Sequence, residues 1–89
     1  MPIVSFTSAL QRFLRVPTMR VDAATVREAV DAVFAEHPAL RGYVLDDQGA
    51  VRRHVSIYIG TEPLRDRATL GDTVGPDDEI FVLQALTGG

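Results

Sequence analysis

The sequence predicts an α+β domain in which one main helix packs against a small sheet. Three observations lead there. Val26, Ala29, Val30, Val33 and Phe34 recur at i, i+3, i+4, i+7 and i+8, the period of a helix with a single apolar stripe. Val55, Ile57 and Ile59 alternate with His54, Ser56 and Tyr58, the period of a strand with one buried face. Glu79 to Leu86 is an apolar run of strand length that follows the turn residues Gly75-Pro76-Asp77-Asp78.

From the start of the chain, Pro2-Ile3-Val4-Ser5-Phe6 is β-branched and aromatic and reads as the first strand. Leu10, Phe13, Leu14 and Val16 either continue it or form a turn and a second strand, and Leu10 to Met19 matches no motif. Thr25-Val26-Arg27-Glu28 has the spacing of a capping box, so the helix is expected to start there. Arg27, Glu28, Asp31 and Glu36 fall on its wet side. His37-Pro38 is expected to end it, because the residue before a proline is pushed out of the α region.

Leu40 to Leu45 and Val51 to Ile59 then read as two strands around the turn Asp46-Asp47-Gln48-Gly49. Gly60-Thr61-Glu62-Pro63 reads as a turn, and Leu64 to Val74 as a loop with room for one short helical turn. In the last strand Ile80 and Val82 share one face while Phe81 and Leu83 share the other. A sheet covered by a single helix has one dry face, so a strand apolar on both faces points to partner docking.

Composition narrows the function. The 89 residues suit one domain with one core, too small for a deep substrate cavity of the several-hundred-Å³ kind that small-molecule enzymes use. A carrier, partner or subunit is expected, with no catalysis of its own. The net charge of −3 argues against nucleic acid, which is bound through phosphate neutralisation. No stretch approaches the roughly 18 apolar residues of a membrane span, and Met1 to Ser5 lacks the charged start of a secretion signal. The expected compartment is the cytoplasm.

With no cysteine, there is no disulfide, thiolate metal site or thiol nucleophile. His37 and His54 lie in different elements, and no metal is expected. All nine basic residues are arginine, so the chain has no ε-amine to be acylated and cannot form lysine-linked polymers of itself. Arg52, Arg53 and Arg65 read as solvated surface charge.

The sequence closes on Thr87-Gly88-Gly89. Glycine lacks Cβ and can run as a narrow thread into another protein's active site, and a chain end carries a main-chain carboxylate available for chemistry. A frayed end is the alternative for such a segment.

Taken in order, Ile3 to Phe6, the Thr25 to Val30 helix start, Val55 to Ile59, and Asp77-Asp78-Glu79-Ile80-Phe81-Val82-Leu83 leading into Thr87-Gly88-Gly89 resemble the ubiquitin-like small sulfur-carrier family. That family includes the molybdopterin synthase small subunit and the thiamine-pathway sulfur carrier. The stretch Arg53 to Ile59, followed by Glu62 and Arg65, is most similar to the branch that supplies sulfide for cysteine synthesis.

The resemblance implies a β-grasp fold, with a mixed four- or five-stranded sheet on one main helix and the first and last strands adjacent in the middle. It implies a domain over residues 1–86 and a flexible tail over 87–89. It also implies an adenylating enzyme that uses ATP and magnesium to activate the Gly89 carboxylate, with Gly88 threading the channel. A sulfur donor would convert the adenylate to a thiocarboxylate for a sulfur-accepting synthase, the carrier itself holding no cofactor stably. Partner contacts are expected at Phe81 and Leu83, extended by Tyr58 and Thr87, and Arg52, Arg53 and Arg65 have an acidic rim of the activating enzyme as an alternative role. Phe81 and Leu83 could instead fill a small cluster beneath the Leu64 to Val74 loop. A ubiquitin-like modifier joined through Gly89 to lysines of other proteins, and a noncovalent interaction domain, remain the other readings.

Overall fold

The computed structural model describes residues 1–6 and 18–84, and of Gln84 only the backbone. The expectations for Leu10, Phe13, Leu14 and Val16, and for Thr87, Gly88 and Gly89, lie outside those residues. Five strands form one mixed sheet: β1 (Ile3–Phe6), β2 (Met19–Arg20), β3 (Val55–Ile59), β4 (Glu62–Pro63) and β5 (Glu79–Gln84), in the spatial order β2-β1-β5-β3-β4. β1 and β5 are parallel neighbours at the centre, with Ile3 opposite Glu79 and Phe6 opposite Val82. The other pairings are antiparallel. The first and last strands therefore meet in the middle, in the β-grasp arrangement.

Helix α1 (Val26–Glu36) lies where the capping box and His37-Pro38 place it. The Glu28 N–H donates to the Thr25 hydroxyl at 3.2 Å, and the Glu28 carboxylate accepts from the Ala24 N–H at 2.8 Å, one residue earlier than a standard capping box. The first two free N–H groups of the helix are satisfied from far along the chain: Val26 donates to the Asp72 carbonyl at 2.9 Å and Arg27 to that of Leu70 at 2.8 Å. All five stripe residues are buried. They form one core with Val4 and Phe6 of β1, Val55 and Ile57 of β3, and Ile80 and Val82 of β5.

Several expectations need correction. Leu40 to Leu45 is not a strand: Pro38–Leu40 is a 3-10 turn and Arg41–Val44 a single helical turn, α2. Pro38 presets the helical φ at the start of the turn. Leu40 and Val44, four apart, then both point into the core, which is helical spacing. Leu45 keeps one isolated bridge to Val51 around the Asp46 to Gly49 turn, where Gly49 has φ +82°. The next strand begins only at Val55, because Arg52 to Val55 is a tight turn closed by the Val55 N–H on the Arg52 carbonyl at 3.0 Å. His54 belongs to that turn and not to the strand alternation.

The expected Gly60 to Pro63 turn is shorter than the sequence suggests. Only Gly60-Thr61 turns, with positive φ at Gly60, and Glu62–Pro63 pairs back onto β3 as β4. The Leu64 to Val74 loop holds, as expected, a single turn, closed by the Leu70 N–H on the Asp66 carbonyl at 2.8 Å. It is organised by two carboxylates: Asp72 accepts from the Arg65 and Asp66 N–H groups, and Asp66 from those of Thr69 and Gly71. Its apolar residues Leu64, Leu70 and Val74 are buried in the main core.

Candidate functional site

Because side chains alternate across a strand, the register that buries Ile57, Ile80 and Val82 turns their neighbours outward. Tyr58 stands opposite Phe81, and Ser56 opposite Leu83, on the face away from α1. The row continues in both directions, with Ser5 opposite Phe81 on β1 and Pro63 opposite Tyr58 on β4. Phe81, Leu83 and Tyr58 are each half-buried. Together with Gly60 and Thr61 they line an apolar groove of about 440 Å³. The structure thus brings the three expected contact residues together. It does not place Phe81 and Leu83 beneath the Leu64 to Val74 loop, whose apolar side chains point the other way.

Sequence reasoning missed Gly60 and Thr61 as groove lining. The available signal was a two-residue spacer between Ile59 and Glu62, the commonest hairpin connection. A substituent at Gly60 would meet nothing within 4 Å, so this end of the groove is open.

A second recess of about 470 Å³, lined by Arg65, Asp66, Gly71, Asp72 and Thr73, is polar. Its carboxylates hold the loop's own N–H groups and the Thr69 hydroxyl. These bonds, led by the Thr69 hydroxyl, hold the Asp66 carboxyl below its ordinary range. This recess is loop architecture.

Among the described residues, no group of three or more His, Cys, Asp or Glu side chains could hold a metal ion. No helix among them is long and apolar enough to cross a membrane. The groove offers apolar contact area on the outer face of the sheet. β5 is described to Gln84, opposite Val55, five residues short of Gly89.

Comparison with known proteins places the chain among relatives. It is 35% identical over 75 residues to Small archaeal modifier protein 1 of Haloferax volcanii, covering 81% of this chain and 82% of the relative. The crystal structure of SAMP1 from Haloferax volcanii matches with a TM-score of 0.81 and 30% identity, over 99% of this chain and 98% of that one. A chain of the Amycolatopsis orientalis BexX/CysO complex matches over the full length of both chains with a TM-score of 0.83 and 23% identity, a likeness of fold. No family model matches the chain.

Proposed function

Because the chain belongs to the ubiquitin-like family of small modifier and sulfur-carrier proteins, we propose that it is a carrier whose Gly89 carboxylate is activated by a partner enzyme and then loaded with sulfur. Activation at Gly89 is supported by the relationship to Small archaeal modifier protein 1, over 81% of the chain in sequence and 99% in structure, joined to the closing Gly88-Gly89. A terminal carboxyl has a pKa of about 3.3–3.7 and is ionised at neutral pH. One of its oxygens attacks the α-phosphorus of ATP on the activating enzyme, an acyl–phosphate bond forms and pyrophosphate leaves. Magnesium and the partner offset the phosphate charge.

Sulfide, as HS⁻ released by a sulfur donor, then attacks the acyl carbon. The C–S bond forms, the C–O bond to phosphate breaks, AMP departs with the electron pair, and the S–H proton is lost to solvent to leave the thiocarboxylate. The thiocarboxylate is passed to an acceptor in cofactor or cysteine biosynthesis. The chain acts as co-substrate, with Gly88 and Thr87 in the partner's channel and Phe81, Leu83 and Tyr58 seated on its surface. That a chain of this fold occurs in the BexX/CysO complex supports a docking role.

The name of the 35% identical relative favours a second reading, a protein modifier. Activation is the same, but the acceptor is then the ε-amine of a lysine on another protein, which displaces AMP and loses a proton.

Intact mass of the protein from its native host, with fragmentation of the C-terminal peptide, tests both. Exchange of one Gly89 oxygen for sulfur supports the carrier. A Gly-Gly remnant on lysines of other proteins supports the modifier. An unmodified carboxylate that no adenylating enzyme of that host activates overturns both.

A further inference from the structure

Charge is distributed unevenly along the sheet. Glu62, Asp77, Asp78 and Glu79 gather where β5 begins, with Glu79 opposite Ile3 and Glu62 opposite Ile59. The other end of β5, about 17 Å away at roughly 3.3 Å per residue, meets the Arg52 to Val55 turn through the pairing of Val55 with Gln84. Arg67 closes this turn from outside. Its guanidinium Nη2 donates to the carbonyls of Arg52 and Val55, each at 2.7 Å.

Three guanidiniums therefore stand at the end of the sheet from which the chain runs on towards Gly89. Arg53 is exposed, at a central position of the turn, and makes no hydrogen bond among the described residues. Arg52 spends only Nε, on the Gly42 carbonyl at 2.7 Å. All twelve Asp and Glu residues are described, yet none of the three arginines is ion-paired with any of them. In a chain of net charge −3, these cations are left for a partner.

We propose that Arg52, Arg53 and Arg67 form a cationic collar at the root of the C-terminal tail, which seats on a carboxylate-lined rim of the protein that receives the tail. The inference rests on the reading that Gly89 is activated by such a protein. The collar matches carboxylates better than lysines would, because Arg52 and Arg53 can each present two parallel N–H donors while Arg67, whose Nη2 holds the turn, adds its charge. The acidic end of the sheet is repelled by the same rim, so the chain approaches tail first. Opposite charge of this kind acts on association rate and orientation and is weakened by salt.

The test is ATP–pyrophosphate exchange by the host's adenylating enzyme, with this chain as the varied substrate. Arg53→Glu is expected to raise KM for the chain about tenfold or more while kcat holds. Arg20→Glu makes the same charge change on β2 at the acidic end and is expected to leave KM unchanged. The difference between the two variants is expected to shrink in high salt. Thermal unfolding of Arg53→Glu should match the wild type, since its side chain is exposed and unbonded.

Equal KM values for the two variants would overturn the collar and leave activation of Gly89 intact. A rise confined to KM for ATP would assign the contact to nucleotide phosphates and also overturn it. No exchange with the wild-type chain would remove the underlying reading and the collar together.

Discussion

The side chain of Arg27 donates from Nη2 to the carbonyl oxygen of Gly49 at 2.7 Å, across 22 positions of sequence. Its Nε donates to the Thr69 carbonyl at 3.1 Å, across 42. One guanidinium thus ties α1 to two separate loops. Arg27→Met keeps the apolar stem and loses both bonds, for an expected cost of about 1.5–3 kcal/mol, the range for hydrogen bonds made by a charged group. Arg27→Lys should recover less than half of that, because an ammonium cannot reproduce the rigid fork. Urea midpoints at unchanged slope measure both, and a lysine variant as stable as the wild type would show that charge alone matters.

Leu70 is fully buried yet has φ +57°, a region in which a side chain other than glycine is strained. Its carbonyl has to reach the Arg27 N–H while its side chain fills the core. Leu70→Ala should cost about 2–5 kcal/mol by opening a cavity. Leu70→Gly opens a slightly larger one but relieves about 1–2 kcal/mol of strain. The glycine variant should therefore be no less stable than the alanine variant, the reverse of the usual order. Denaturant unfolding of the pair decides it.

Asp66 predicts a particular response to acid. The Thr69 hydroxyl, then the N–H groups of Thr69, Gly71 and Ala68, hold its carboxyl below the ordinary value of 3.8. A depressed folded-state pKa contributes stability that is fully present above the unfolded value and is lost as pH falls through the folded one. The wild type should therefore lose stability below about pH 4, and Asp66→Asn should lose less over the same range. Thermal midpoints from pH 6 down to pH 2.5 would reveal it, and parallel curves would rule it out.

Phe81 and Val82 are adjacent in β5 but face opposite ways. Val82→Ala removes fully buried atoms and should cost about 2 kcal/mol. Phe81→Ser, on the outer groove, should cost less stability while weakening binding to the proposed activating enzyme at least tenfold. Unfolding curves and titration calorimetry on the two variants separate the faces. If Phe81→Ser bound as well as the wild type, the groove would not be the docking surface.

Sequence by itself determined what depends on near neighbours. The Thr25 cap, the Val26 to Phe34 stripe and the His37-Pro38 stop are relations within a few residues, and α1 forms as they dictate. The same holds for the alternation in Val55 to Ile59 and for the two faces of β5, whereas the joining of Tyr58, Phe81 and Leu83 in one patch was implied by the resemblance and is made by the strand register. Tertiary structure alone decided what depends on distant partners. Leu40 to Leu45 is too short for its period to separate strand from helix, and burial of Leu40 and Val44 settles it. Arg27 reads as a solvated helix residue until two carbonyls arrive from loops far along the chain. Arg67 likewise joins Arg52 and Arg53 only because β3 and the following loop fold back together. The physical divide is range: backbone period and capping act over one or two turns, whereas hydrogen-bond partners, strand order and charge clustering are set by which distant segments the shared core draws together.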